Sequence, residues 1–123
     1  YIGFGGNGHQ VRDVLHIEDL LSLIDLQIKN FNKINNKIFT VGGSKRSYTS
    51  LKNLTNICSK LTGNKIKIGK LTSTSNYDIP YYISDNSYVS KTYKWKPLKT
   101  IYNVIFDTYI WILTNRFKLK KYF

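Results

Sequence analysis

Arg12 is the one cation in the first 28 residues of this 123-residue chain, so it does not belong to a diffuse basic surface. It stands in the run Gln10-Val11-Arg12-Asp13-Val14-Leu15-His16-Ile17-Glu18-Asp19-Leu20, where alternating apolar residues give way to a helix with an acidic first turn. A planar guanidinium with five donors, fixed on a strand, can grip a phosphate or carboxylate through two parallel hydrogen bonds. The plainer role is an ion pair with Asp13 or Asp19 that ties strand to helix, since most such pairs are structural. The residues alone leave both roles open.

The other groups capable of chemistry are weaker. Gly-Phe-Gly-Gly-Asn-Gly at 3–8 fits G-x-G-x-x-G. A phosphate-cradling loop of that kind must open a helix whose N-terminus faces the anion, whereas Gln10–Val14 reads as extended. His16 precedes the helix and reads as a hydrogen-bonded structural group; with His9 as its one companion no metal cluster can be built. The single cysteine, Cys58, excludes an internal disulfide and a cysteine-based zinc cage. It falls on the apolar stripe of an expected helix and reads as buried filler.

Several elements must position these groups. Tyr1–Gly5 reads as the end of a strand entering a glycine loop. Leu20, Leu21, Ile24, Ile28 and Phe31 recur near helical spacing, predicting a helix from Glu18 to Phe31, with Glu18 and Asp19 at the positive end of its dipole and Lys29 at the other. Asn30–Lys37 is a polar loop. Ile38–Val41 is β-branched and aromatic and reads as a buried strand, ended by the backbone freedom of Gly42-Gly43. Ser47, Thr49 or Ser50 caps a helix carrying Leu51, Leu54, Cys58 and Leu61, with Gly63 as its stop. Lys65–Leu71 reads as a half-exposed strand, Leu71–Tyr77 as a loop, and Asp78-Ile79-Pro80 as an extended entry into a short strand at Tyr81–Ser84. Asp85 or Ser87 caps a short helix ending near Tyr93–Trp95, and Thr100 caps the last one. The order strand, helix, strand, helix, strand, short helix, helix favours an α/β fold.

The length suits one domain, and 41% apolar with 15% aromatic residues is compatible with a real core. The formal net charge is +12, and between Leu26 and Tyr77 there is no acidic residue. That pattern could mark a surface for nucleic acid or an acidic partner. Scattered lysines with few arginines read more simply as solvated faces, which argues against nucleic acid. The apolar-rich run Ile101–Leu113 is short of the about 20 residues a bilayer span needs and contains Asp107, so no membrane segment is expected. With no signal peptide visible, a cytoplasmic location is the default.

The run from Gly5 to Leu20 resembles the Q-V-R-D-x-x-H-x-x-D segment of extended short-chain dehydrogenase/reductases, the NAD-dependent sugar-nucleotide epimerases and dehydratases. Further matching segments follow in the family's order. They are Ile38-Phe39-Thr40-Val41-Gly42-Gly43, then Ser50-Leu51 to Leu61-Thr62-Gly63, then Asp78-Ile79-Pro80-Tyr81-Tyr82-Ile83-Ser84-Asp85 with Trp95-Lys96-Pro97. The opening Gly-Phe-Gly-Gly-x-Gly-x-Gln is most like the CDP-paratose/CDP-tyvelose 2-epimerase branch. The resemblance covers nearly all of residues 1–113, leaving 114–123 as a basic tail. Tyr48 and Lys52 reproduce the family's Y-x-x-x-K spacing, but far downstream of its catalytic pair and with Tyr48 in the turn ahead of a helix.

The resemblance implies the C-terminal substrate-binding portion of an extended Rossmann-type short-chain dehydrogenase fold, lacking the N-terminal dinucleotide-binding half. The opening at Tyr1, mid-strand and without a methionine, is read as the start of a C-terminal piece. Carried over by position, Arg12 grips the pyrophosphate of a nucleoside-diphosphate sugar, Asp78 accepts from ribose hydroxyls, Ile2 and Phe4 flank the base, and Tyr82 walls the sugar pocket. Relatives often place an arginine three residues before the aspartate; here Ser75 stands there, and Lys70 is the neighbour that could help Arg12. No catalytic residue is assigned, and NAD falls mainly to the missing half. The implied activity is that of an isomerase, a nucleotide-sugar epimerase of carbohydrate metabolism, homo-oligomeric at full length and inactive as the isolated chain. The alternative is a non-catalytic basic module for nucleic acid or an acidic surface.

Overall fold

The computed structural model describes residues 1–32 and 36–122. In chain order it has β1 (Val11–Asp13), α1 (Ile17–Lys29), β2 (Tyr48–Ser50), α2 (Leu51–Thr62), β3 (Tyr81–Tyr82), α3 (Ser87–Tyr93) and α4 (Ile101–Leu119), with single 3-10 turns at Phe4–Gly6 and Ser44–Arg46. The 3-stranded sheet has the order β2-β1-β3, with β1 antiparallel to β2 and parallel to β3. The α/β class holds, and the helices follow in the expected order. The strands are short because flanking loops carry part of the pairing: Val11 N–H donates to Pro80 O (2.9 Å), Val14 N–H to Ser47 O (2.8 Å) and Lys52 N–H to Gly8 O (2.8 Å).

The second strand is not the expected one. Ile38–Val41 has no ladder, and Ile38 is 94% exposed. A β-branched, aromatic run makes a strand only where a partner offers a ladder. Here Phe39 packs instead on the rings of Tyr88 and Tyr93, at 5.0 and 5.4 Å between centroids. The backbone that follows is taken by a side chain: Asn86 Oδ1 accepts from Gly42 N–H (3.0 Å) and Asn86 Nδ2 donates to Gly42 O (2.7 Å). β2 is built from Tyr48-Thr49-Ser50 in place of the expected turn. Lys65–Leu71 is likewise no strand; it reaches a single parallel bridge, Leu71 with Ile2. The polar loop expected at 30–37 lies partly outside the described residues.

The caps of α2 and α4 are the expected ones, whereas α3 has Asn86 at its cap position, with no side-chain capping bond, in place of Asp85 or Ser87. Ser50 Oγ accepts from Asn53 N–H (3.2 Å), and Gly63 ends α2 at φ 73°. Thr100 and Asn103 form a capping box on α4. α4 runs unbroken to Leu119, so the boundary expected after residue 113 falls inside a helix.

The core is Leu23, Val89, Tyr93 and Trp95, with Leu15, Leu26, Phe39 and Val41 against it. α1 therefore buries its Asp19–Leu23–Leu26 side rather than the expected stripe. Leu21, Ile24 and Ile28 are exposed, in line with Ile17. A buried carboxylate decides the face: Asp19 accepts from the backbone N–H groups of Leu98 (3.1 Å) and Lys99 (3.0 Å), which draws α1 onto the segment before α4. Among the described residues, no helix is long and apolar enough to cross a membrane.

Candidate functional site

β1 is the middle strand because both its edges find backbone partners, and this puts Arg12 between two neighbours. Arg12 lies in register with Thr49 of β2 and with Tyr82 of β3. Residues in register share a face of the sheet, so Arg12, Thr49 and Tyr82 project together and Asp13 projects to the other side.

Neither expected carboxylate pairs with Arg12. Asp13 Oδ2 accepts from Ser44 N–H (2.7 Å), and its Oδ1 accepts from Ser84 O–H (3.3 Å). Asp19 is committed to the Leu98 and Lys99 amides. Among the described residues Arg12 makes no ion pair; its Nη1 donates to Val11 O at 2.7 Å. That bond is to its own strand, and among the described residues the other guanidinium donors have no partner.

The remaining candidates gather at the start of the same strand. The glycine run at 3–8 does not open a helix. Gly3, Phe4, Gly5, Gly6 and Gly8 all have φ between 48° and 74°, and the chain then enters β1. This left-handed turn folds Ile2–Phe4 back over Gln10. A methyl group on Gly3 would lie 3.4 Å from Asp78 Oδ2 and 3.6 Å from both Gln10 Nε2 and Thr74 Oγ1. Ile2, Phe4 and Asp78 are thus brought together around Gly3. Gln10 joins this cluster to Arg12, two residues further along the same face of the strand. Asp78 itself closes a turn, donating its N–H to Ser75 O (3.0 Å).

Two members of this cluster were not singled out from the sequence. Gln10 is 8% exposed and its Nε2 donates to Ile2 O, holding the Ile2–Phe4 segment on the arginine strand. Thr74 Oγ1 accepts from Phe4 N–H at 2.7 Å. Gln10 was open to recognition, since it alternates with Arg12. Thr74 was not, because it lies 70 residues from its partner. Lys70, the expected helper of Arg12, packs against Gly6 instead: a methyl group there would meet its Cβ at 2.9 Å.

Tyr48 is on β2 and Lys52 on α2, so they share no helix face. His16 caps α1, its Nδ1 accepting from Glu18 N–H (3.1 Å) while Nε2 meets Asp107 Oδ2 (3.1 Å). Among the described residues no group of His, Cys, Asp and Glu could hold a metal.

Ile2, Asp78 and Tyr82 are exposed, so the assembly is an open face rather than an enclosed pocket. It offers a guanidinium with no ion pair among the described residues, one carboxylate and apolar side chains. A ligand matching it carries an anionic centre, hydroxyl donors and a planar ring.

No family model matches the chain. CDP-paratose 2-epimerase of Salmonella typhi is 28% identical over 106 residues, covering 86% of this chain and 31% of that protein. Among solved structures, UDP-glucuronic acid 4-epimerase from Bacillus cereus superposes with a TM-score of 0.74 at 19% identity, over 91% of this chain and 35% of the other. WbmG of Bordetella bronchiseptica, solved with NAD and UDP, gives 0.73 at 18% identity over 93% and 34%. dTDP-glucose 4,6-dehydratase from Bacillus anthracis, solved with NAD, gives 0.70 at 21% identity over 92% and 34%. The fold is that of the C-terminal portion of an extended Rossmann-type short-chain dehydrogenase, and the sequence carries the same likeness. The chain spans about a third of the length of these relatives.

Proposed function

We propose that this chain is the nucleotide-sugar-binding portion of an NAD-dependent sugar-nucleotide epimerase of the CDP-paratose 2-epimerase kind. One observation carries the reading: Arg12 has no acidic partner among the described residues and stands in register with Tyr82, two residues from Gln10, which with Asp78 flanks Gly3. An unpaired guanidinium on a rigid strand is poised for an anion that is not part of the chain. In this reading Arg12 neutralises the diphosphate. Asp78, as an acceptor, orients the ribose hydroxyls. Ile2 and Phe4 flank the base, and Tyr82 bounds the sugar.

The residues present do not fit NAD. The glycine run precedes a strand, so no helix N-terminus faces a pyrophosphate there, and the Tyr48/Lys52 pair is split between two elements. No chemical step is therefore placed on these residues, and the isolated chain is inactive. The partner is a nucleotide-binding half, and the apolar line Ile17, Leu21, Ile24 and Ile28 on α1 is a surface open to it.

The test is binding of CDP- and UDP-sugars by the full-length protein. Arg12→Ala should weaken it strongly while Lys65→Ala leaves it nearly unchanged. If Lys65→Ala weakens binding as much as Arg12→Ala, with steep salt dependence, the basic-module alternative is the better description. Turnover by the isolated chain would overturn the claim of inactivity.

A further inference from the structure

A cleft of about 500 Å³ lies between the Ser44–Arg46 turn, the start of α3 and the segment Lys96–Leu98. It belongs to the other side of β1. Arg12 projects from one face of the strand, and Asp13, one residue on, projects from the other to fix the turn by accepting from Ser44 N–H (2.7 Å). That turn is unusual, since Ser44 holds φ 51° without being glycine.

Three cations converge on the cleft: Lys45, Arg46 and Lys96. Among the described residues none of them makes an ion pair. Arg46 is oriented rather than loose, because its Nε donates to Leu98 O at 3.0 Å. That bond holds the guanidinium beside Leu98, and among the described residues its terminal nitrogens have no partner. Ser44, Ser87 and Ser90 are also among the residues that line it. Against these three cations the lining holds one carboxylate, Asp85, which accepts from Ser87 N–H at 2.8 Å, so the lining keeps a net excess of positive charge.

We propose that this cleft is an anion-binding site, separate from the Arg12 face, for a ligand bearing a phosphoryl group. A compact anion with several oxygens needs donors from several directions, and an oriented arginine, two ammonium groups and three hydroxyls supply them. A simple carboxylate would be satisfied by Arg46 alone. The volume also exceeds one phosphoryl group, and Pro97 and Leu98 offer an apolar wall to the rest of the ligand.

The experiment titrates inorganic pyrophosphate into the chain carrying Arg12→Ala, at low salt, by calorimetry and by backbone amide NMR shifts. Removing Arg12 separates this site from the proposed substrate face, so failure of either leaves the other standing. Saturable binding is expected, with shifts confined to the amides of Ser44, Ser87 and Ser90 and their neighbours. Arg46→Ala should weaken it about tenfold, Lys45→Ala or Lys96→Ala about threefold, and Lys65→Ala not at all. Arg46→Lys keeps the charge, loses the Nε anchor and should weaken binding also. Absence of saturable binding, shifts elsewhere, or equal losses in Lys65→Ala and Lys118→Ala would overturn the proposal.

Discussion

Arg12 and Tyr82 stand directly opposite each other across the parallel β1–β3 pair, although 70 residues separate them in the chain. The pairing rests on backbone bonds that neither side chain makes, so both side chains are free to meet a ligand. This yields a sharp separation between binding and stability. Arg12→Ala should cost nucleotide-sugar affinity by about 2 kcal/mol or more, roughly thirtyfold. The thermal midpoint should hardly move, since the one bond lost is to Val11 O. Calorimetric titration beside a melting curve checks both; a large drop in midpoint would mean the arginine is structural.

Asp19 should behave in the opposite way. It is 5% exposed and accepts from two backbone amides, Leu98 and Lys99. Asp19→Ala would leave both amides without their acceptor and should destabilise by about 1–3 kcal/mol, read in urea unfolding. Nucleotide-sugar binding by the folded fraction should persist.

The contrast explains what could be read from the sequence. Caps at Ser50, Thr100 and Gly63 were legible because capping is local: a hydroxyl or a missing Cβ acts within one turn. The extended arginine segment was legible from its alternation. The buried side of α1 was not, because periodicity assigns apolar residues inward and a carboxylate outward. Asp19 reverses that by finding donors 79 and 80 residues away. Ile38–Val41 misled for a related reason, since residue type reports suitability for a sheet and not whether a partner strand exists. Polar Tyr48-Thr49-Ser50 became the strand because Arg12 and its neighbours offered it one. At the candidate site, Arg12 stands in register with Tyr82 and Asp78 lies beside Gly3; Gln10 could be noticed from its alternation with Arg12, while Thr74, 70 residues from Phe4, could not.

Two kinds of glycine should fail differently. A methyl group on Gly42 would sit 2.3 Å from Ser84 Oγ and 2.4 Å from Asp13 Oδ2, and one on Gly43 would sit 2.2 Å from Val14 O. Gly43 has φ −69°, so close approach and not conformational freedom fixes it. Gly63 is the reverse, with open space around it but φ 73°. Gly42→Ala or Gly43→Ala should cost about 3 kcal/mol or more. Gly63→Ala should cost about 1 kcal/mol. Denaturation midpoints of the three variants test the ranking.

The pH profile of stability should carry one group at each end. The Ser87 backbone N–H, then the Ser87 hydroxyl, hold the Asp85 carboxyl below its usual value, with Lys45 adding a smaller pull against slight desolvation. A carboxylate lowered on folding stabilises the fold above its unfolded-state pKa. That contribution is lost as pH falls through the lower folded-state value. Lys99 is raised, chiefly by its hydrogen bond to Glu18 at 2.7 Å, with Asp107 at 3.6 Å contributing. Its contribution is complete below the usual lysine value and disappears as pH rises through the raised one. Both side chains are solvent-screened, so the effects are small. Asp85→Asn should flatten only the acid limb of a melting-temperature profile and Lys99→Met only the alkaline limb. An Asp85→Asn profile that departs from the parent equally at neutral and acid pH would show that the Ser87 contact does not depend on the carboxylate's charge.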